Sequence, residues 1–193
     1  MSDKPIRIAV IKGSVRPNNY TSMAVALVVD ELQKDPQVHV QVIDPSEYNL
    51  PMPGTDWSAP GAKRLQEAVK KATAIVLATP EYHGSFSSVM KLVIENLGFP
   101  SALQGKPVAL MGVAAGAIGA IKSLEQLRSV AAHRRRDRSA NASVRSERAI
   151  GVRFWRPHYR RCHREYDSRG CPQRDGIHSW QRVSTRDAGT VDA

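Results

Sequence analysis

The chain has few of the features that mark membrane or secreted proteins. No stretch approaches the ~18 consecutive apolar residues of a membrane-spanning helix. Only two cysteines are present, both late in the chain, so no disulfide framework is expected. Residues 1–5 lack the charged and then apolar pattern of a signal peptide. We therefore expect a cytoplasmic protein with no membrane segment, whose 193 residues are enough for a substantial core.

The positive charge of the chain is concentrated in its last third. Residues 1–132 carry 13 basic and 11 acidic residues, a net charge of +2. Residues 133–193 carry 15 arginines, no lysine and 7 acidic residues, a net charge of +8. This contrast predicts an ordinary folded domain over 1–132, followed by an Arg-rich tail over 133–193 with a different character.

The folded part alternates strand and helix patterns four times. Uniformly apolar runs at 6–11, 74–78 and 108–113 predict buried strands, and the alternating run 38–43 predicts an edge strand. Amphipathic patterns predict helices over 22–33, 61–72, 87–97 and 120–132. Strict alternation of this kind favours an α/β fold, a flavodoxin-like three-layer sandwich with parallel sheet order 2-1-3-4-5.

The fifth β-α unit of that fold is expected to be missing or degraded. Residues 134–140 are nearly all charged or polar, where a buried strand should follow. Residues 134–140 can be encoded by a set of codons that, when translated in a frame shifted by one base, gives Val-Gly-Ala-Ile-Val-Leu-Pro. That sequence is typical of a buried strand. We therefore expect the tail to be disordered or frame-shifted from about His133; a genuine basic extension is the alternative.

Two further patterns in the tail concern metal binding and nucleic-acid binding. The Cys162 and Cys171 thiols are separated by eight residues, unlike the close ligand pairs of zinc sites, so we expect no metal. Arginines interspersed with Trp155 and Trp180 leave nucleic-acid binding open as an alternative function. No recognisable module surrounds them, so specific nucleic-acid binding is not expected.

The loop after the first strand has the chemistry of a phosphate site. Backbone N–H groups at a helix N-terminus attract anions, and Ser14, Thr21 and Ser22 add hydroxyl donors. Arg16 adds a guanidinium that suits phosphate oxygens. Helix capping by Thr21 or Ser22 is the alternative interpretation. The loop lacks both G-x-x-x-x-G-K-[ST] and G-x-G-x-x-G, which argues against an NTPase and against the usual dinucleotide fold.

Two further loops follow neighbouring strands of the predicted sheet. In residues 79–86, Gly84 allows close approach of the backbone to a flat ring, and Pro80 stiffens the turn. A plain connection, with Ser85 or Ser87 capping the next helix, is the alternative. A third loop, residues 114–119, follows the fourth strand and would lie beside the second. Together the three loops indicate a crevice for a flavin nucleotide.

Three segments resemble the NADPH-dependent FMN reductase family, which has the flavodoxin-like fold and includes quinone, azo-dye and chromate reductases. They are Gly13-Ser14-Val15-Arg16, the turn 80–85 with Lys91 in its helix, and the segment 119–128. The likeness covers about residues 6–132. His83 stands where many members have Asn.

The resemblance implies an NAD(P)H-dependent oxidoreductase with FMN as cofactor. Hydride from NAD(P)H would reach flavin N5 and pass to a quinone-like or other small acceptor with ping-pong kinetics. It implies no catalytic side chain, and a homodimer or homotetramer. An FMN-binding electron carrier without strong NAD(P)H activity is the runner-up. The implied cofactor contacts are Ser14, Arg16, Asn19, Tyr20, Thr21 and Ser22 for the phosphate, Pro80, Glu81, Tyr82, His83 and Gly84 for the ring, and Ala115 and Gly116 at the ring edge.

Overall fold

The computed structural model describes residues 5–56, 58–135 and 149–153. Strands and helices alternate along most of this range, as the sequence predicts. No helix within it is long and apolar enough to cross a membrane. The elements are β1 (Ile6–Lys12), α1 (Tyr20–Leu32), β2 (Val38–Ile43), a 3-10 turn (Pro45–Glu47), α2 (Pro60–Lys71), β3 (Ala74–Tyr82), β4 (Ser85–Phe86), α3 (Ser88–Glu95), β5 (Val108–Ala114), α4 (Ile121–Arg135) and β6 (Ala149–Arg153).

The long strands form one parallel sheet in the order β2-β1-β3-β5-β6. The short β4 is antiparallel to β3 and lies off this path. The predicted order is confirmed, and so is the edge position of β2, in which the half-buried Val38 and Val40 alternate with the exposed His39 and Gln41. Because β1, β3 and β5 are neighbours, the loops after their carboxyl ends come to one side of the molecule.

Helices cover both faces of this sheet, and apolar side chains fill the space between the layers. On one face Leu65 of α2, Met90 of α3 and Leu127 of α4 are fully buried in one cluster with strand residues. On the other face Ala24 and Val25 of α1 pack in a second cluster with strand residues. The alternation of strand side chains between these clusters explains why the central strands are apolar throughout.

The fifth strand position is filled, although the sequence predicts that the fifth β-α unit is missing or degraded; the residues after β6, where the helix of that unit would follow, lie outside the described ranges. β6 pairs in parallel with β5, in a register that matches Leu110 with Ala149 and Ala114 with Arg153. The fourth long strand is therefore not the edge of the sheet. The sequence signal was missed because β6 is only five residues long and begins well after the charged run at 134–138. The remaining predictions for the tail, including its cysteines and tryptophans, fall on residues outside the described ranges.

The second predicted loop has a different local structure from the expected direct connection. β3 continues past the predicted end at Ala78 to Tyr82, turns at once, and pairs with β4. Pro80 is thus a strand residue opposite Val113 of β5, so it stiffens the strand and not the turn. Ser87 is the N-cap of α3 and accepts a hydrogen bond from the Met90 amide at 3.0 Å. Of the two residues that the sequence offers as alternative caps, Ser85 and Ser87, it is Ser87 that caps the helix.

Candidate functional site

The loop after β1 is held tightly against the neighbouring strand. The Gly13 amide donates to the Ala78 carbonyl at 2.6 Å, and the Ser87 hydroxyl donates to the Gly13 carbonyl at 2.5 Å. A Cβ on residue 13 would lie 2.7 Å from the Ala78 oxygen, so only glycine fits here. The close contact between the main chain at Gly13 and Ala78 therefore fixes the position of the first residues of the loop.

The helix cap in this loop is Asn19, and not Thr21 or Ser22. The Asn19 side-chain oxygen accepts from the Ser22 amide at 2.7 Å, while its Nδ2 donates to the Arg16 carbonyl at 2.5 Å. Asn is among the preferred N-cap residues because its short side chain reaches a free amide of the first turn. The Asn19 side chain therefore shapes the loop and the start of α1 together.

Two hydroxyl groups beside this cap are buried without a hydrogen-bond partner. They are the Ser14 and Ser22 Oγ atoms, and no other side-chain oxygen or nitrogen in the described ranges shares this condition. A buried polar group without a partner costs about 1–3 kcal/mol, so such pairs call for a physical reason. An anion at the N-terminus of α1 would accept hydrogen bonds from both hydroxyls.

The remaining predicted phosphate contacts lie in the same segment. Tyr20 is the first residue of α1 and is 40% exposed, whereas Thr21 is fully buried. Arg16 is exposed, and its guanidinium carbon lies 5.9 Å from the centre of the Tyr82 ring. A hydrogen bond with Tyr82, supported by charge attraction, raises the pKa of Arg16 above its ordinary value. The loop thus offers a permanent positive charge. The side chain that carries this charge contacts Tyr82, the last residue of β3.

The turn that follows β3 is a two-residue β-hairpin, which we call the ring turn (Tyr82–Ser85). Its ends pair as Tyr82 with Ser85, and its central residues His83 and Gly84 have φ values of 51° and 72°. Two positive φ values in succession are typical of a type I′ hairpin turn. Tyr82 and His83 are exposed at this turn. Main-chain groups here lie at the surface, beside the side chain that holds Arg16.

Helix α4 supports the ring turn through contacts that the sequence interpretation missed. The Glu81 carboxylate accepts from the Ser123 amide at 2.9 Å. The Gln126 amide donates to the Gly84 carbonyl at 3.1 Å and accepts from the Ser85 hydroxyl at 2.7 Å. Glu81 thus contacts α4 in this structure. Both Ser123 and Gln126 lie in the segment 119–128 that carries the family resemblance, but nothing in a helical pattern signals which residues contact a distant turn.

The third predicted loop begins beside the end of β3, close in sequence register to the ring turn. Its place follows from the pairing of Pro80 with Val113, which brings the end of β5 beside β3. Ala115 and Gly116 are exposed, and a Cβ on residue 116 would meet nothing within 4 Å. A turn from the Gly116 carbonyl to the Gly119 amide, 3.0 Å long, closes this loop before α4 begins.

A groove of about 360 Å³ opens between α1 and β2, next to the phosphate loop. Ser22, Lys12 and Val42 are among its lining residues. None of the ring-turn residues lines it. This groove is therefore not the place where a flavin ring would meet the ring turn.

The residues present fit a flavin nucleotide on two independent grounds. Two buried hydroxyls without partners and an exposed arginine suit a phosphate. An exposed hairpin with glycine at its tip suits the donors and acceptors along a ring edge. The loop that would hold the phosphate and the turn that would hold the ring are joined by the contact of Arg16 with Tyr82.

The sheet order and the loops at its carboxyl edge define the flavodoxin-like class of α/β proteins. The sequence profile of the NADPH-dependent FMN reductases matches residues 6–144, and the chain belongs to that family. Membership confirms the predicted class, an oxidoreductase whose family uses FMN and NAD(P)H. The match continues past residue 132, where the sequence resemblance was expected to end.

Curated relatives and a solved structure are similar to this chain. It is 31% identical over 134 residues to an NAD(P)H-dependent FMN reductase of Pseudomonas aeruginosa, which covers 66% of this chain and 70% of the relative. It is 30% identical over 128 residues to an FMN-dependent NADPH-azoreductase of Staphylococcus aureus, covering 63% and 66%. A flavoenzyme NAD(P)H:acceptor oxidoreductase from Paracoccus denitrificans has the same fold, with a TM-score of 0.60, 22% identity and coverage of 79% and 77%.

Proposed function

We propose that this chain binds FMN at the loops after β1, β3 and β5 and transfers electrons from NAD(P)H to a small acceptor. The observation that carries the proposal is the pair of buried hydroxyls, on Ser14 and Ser22, that have no partner at the N-terminus of α1. Helix capping does not account for them, because Asn19 performs it. Family membership supports FMN as the anion's source.

The protein's part in this function is to bind and orient. Ser14 and Ser22 donate to phosphate oxygens, Arg16 supplies the opposite charge, and Asn19 keeps the loop in shape. Tyr20 and Thr21 begin the helix whose N-terminus faces the phosphate.

The main chain between Pro80 and Gly84 would hold the ring, and Ala115 and Gly116 would lie at its edge. Tyr82 borders the ring while it holds Arg16. Glu81 contributes through the main chain, because its carboxylate accepts from the Ser123 amide. No side chain is needed as an acid, base or nucleophile in this arrangement.

FMN held by these residues would supply the chemistry, namely hydride transfer from NAD(P)H to its N5 and transfer of two electrons to an acceptor. Because Tyr82 and His83 are exposed, NAD(P)H and the acceptor would be able to reach the same face of the ring in turn. This predicts ping-pong kinetics with a quinone-like or azo acceptor. With a quinone, NAD(P)H and one proton yield NAD(P)⁺ and the hydroquinone.

Anaerobic mixing tests the proposal directly. The protein is loaded with FMN, freed of excess flavin, and mixed with NADPH or NADH under nitrogen while the absorbance of oxidised flavin is followed. Rapid loss of that absorbance, and its return after addition of a quinone, supports the reductase. A flavin that stays bound and oxidised supports the electron carrier instead. A chain that retains no FMN contradicts both.

We also propose a homodimer or homotetramer, as the family resemblance implies, and a cytoplasmic location, as the sequence predicts. Light scattering of the purified protein measures the number of subunits in the oligomer.

Nucleic-acid binding by the arginine-rich tail is tested by removing residues 154–193, which leaves the strand pairing of β6 with β5 in place. Salt-sensitive retention of nucleic acid that disappears with the tail, together with failure to bind FMN, would favour that alternative function.

A further inference from the structure

Helix α4 contacts two successive residues of the ring turn through one side chain. The Gln126 Nε2 donates to the Gly84 carbonyl at 3.1 Å, and the Gln126 Oε1 accepts from the Ser85 hydroxyl at 2.7 Å. The amide of Gln126 therefore uses both its donor and its acceptor on the turn. The adjacent strand is attached to the same helix, because Glu81 accepts from the Ser123 amide.

The ring turn needs support from outside its own strands. β4 contributes only Ser85 and Phe86, so the antiparallel ladder consists of two residue pairs. A hairpin of this length is marginal by itself. His83, at φ 51°, is in a conformation that residues with a Cβ rarely adopt. The geometry of the turn therefore depends on what holds it from the neighbouring helix.

The side of α4 next to Gln126 is fixed in the protein. Ser123 and Leu127 are fully buried, and the Ser123 hydroxyl donates to the Ala120 carbonyl at 2.9 Å. Gln126 itself is exposed. The side-chain amide of Gln126 therefore contacts the ring turn from a helix that is fixed by its buried residues, while Gln126 itself stays outside the core.

Resting on the proposed function, we propose that Gln126 is a positioning residue for the flavin ring. It holds the Gly84 carbonyl and the Ser85 hydroxyl, so that the backbone of the ring turn keeps the orientation that meets the ring. It acts through these two residues and not through contact with the ring. Loss of its amide affects binding of the ring and leaves binding of the phosphate unchanged.

Two variants and a matched control test this role in the full chain. Gln126→Ala removes both contacts, whereas Gln126→Glu keeps an acceptor for Ser85 and loses the donor to Gly84. The control is Gln66→Ala, because the Gln66 Nε2 also donates to a main-chain carbonyl, that of Asn96, at 2.9 Å. The measurements are Kd for FMN and for riboflavin by fluorescence quenching, the absorption spectrum of bound flavin, and the melting temperature without flavin.

We expect each Gln126 variant to raise Kd by about 3- to 10-fold, a factor that corresponds to about one hydrogen bond to the ring, and by the same factor for FMN and riboflavin. The bound-flavin spectrum should shift toward that of free flavin. Gln66→Ala should lower the melting temperature only. If Gln126→Ala is poorly folded, Gln126→Glu decides, since it keeps the length and one contact of the side chain.

Three results would overturn the inference. Unchanged Kd and spectra in the Gln126 variants would show that the turn holds its shape without this amide. A rise in Kd for FMN alone would place the effect at the phosphate. If the unaltered chain binds neither FMN nor riboflavin, the proposed function is overturned together with this inference. If the unaltered chain binds both flavins and the Gln126 variants bind them with the same Kd, only the inference is overturned.

Discussion

Arg16 lies over the ring of Tyr82, with its guanidinium carbon 5.9 Å from the ring centre. The contact joins the loop after β1 to the turn after β3, two segments that are 66 positions apart in the chain. Stacking uses the flat face of the guanidinium, and the hydrogen bond to Tyr82 uses one N–H donor on its edge, so other N–H donors remain along that edge. Arg16 is thus placed to bind an anion while it keeps its aromatic neighbour.

Replacing Arg16 with Ala should weaken FMN far more than riboflavin. The lost contact is charge-assisted and worth about 1.5–3 kcal/mol, which raises Kd for FMN roughly 10- to 150-fold. Riboflavin lacks the phosphate and should lose little. Parallel titrations of both ligands by fluorescence quenching measure the difference.

The matched control for this change is Arg64→Ala. Arg64 lies over the ring of Tyr48, 4.9 Å from its centre, and so makes the same kind of contact in another part of the fold. It should leave both dissociation constants unchanged. Equal weakening of FMN and riboflavin by Arg16→Ala would instead mean that Arg16 acts only by holding Tyr82.

Ser14→Ala should have opposite effects on the free and the FMN-bound protein. The hydroxyl is buried, with no partner, so its removal should leave the melting temperature of the flavin-free protein equal or higher. In the presence of FMN the variant should be less stabilised, because one donor to the phosphate is gone. Thermal melts with and without saturating FMN give both quantities.

A buried serine that already has a partner provides the comparison. The Ser101 hydroxyl accepts from the Leu103 amide at 3.4 Å, so Ser101→Ala should lower the melting temperature of both forms alike. If Ser14→Ala also lowers the flavin-free melting temperature, its hydroxyl has a structural role and the phosphate assignment loses its main support.

The regular part of the fold was readable from local patterns. Uniformly apolar runs such as 74–78 exist because both faces of a central strand are covered, and this condition leaves a direct mark on the sequence. The order of strands followed from strict alternation of strand and helix. The alternating run 38–43 was likewise enough to place β2 at the edge.

The details of the candidate site were harder to read because they depend on distant contacts. The end of β3 pairs with β4, and the turn between them is held by Gln126, some 40 positions later in the chain. The local sequence of residues 79–86 predicts a turn but does not indicate which distant residues contact it. The sequence places Asn19 near the phosphate but does not identify it as the helix cap, because serine, threonine and asparagine are all good caps and position alone decides.

Gly84→Val should lower flavin binding, and a second glycine separates this effect from backbone strain. Gly84 has φ 72° at the tip of the ring turn, where valine is strained and would cover the main chain. Gly54 has φ 82° in an exposed loop, with nothing within 4 Å of an added Cβ. Gly54→Val should therefore show a comparable loss of melting temperature with normal flavin loading.

The flavin content of the two purified variants measures the difference. Normal flavin loading in Gly84→Val would show that the ring turn is only a connection between β3 and α3. Equal loss of flavin in both variants would show that general destabilisation is responsible.

The ion pair of Lys12 and Asp44 predicts a specific acid sensitivity of the fold. Burial pushes the pKa of Asp44 upward, but hydrogen bonds from Lys12 and Ser46 outweigh it and hold that pKa below its ordinary value. A carboxyl whose pKa is lower in the folded state stabilises the fold above its unfolded pKa of about 3.9. That contribution disappears as the pH falls through the lowered folded pKa.

Asp44→Asn should therefore destabilise the protein at pH 7 and matter progressively less below about pH 4. Denaturant unfolding of both proteins between pH 7 and pH 2.5 measures the difference in stability at each pH. A matched comparison is Lys12→Met, which removes the partner and should reproduce much of the pH-dependent part. A difference between Asp44→Asn and the unaltered protein that stays constant from pH 7 to pH 2.5 would mean that Asp44 acts through its contacts with Ser46 as a turn residue, and not through its charge.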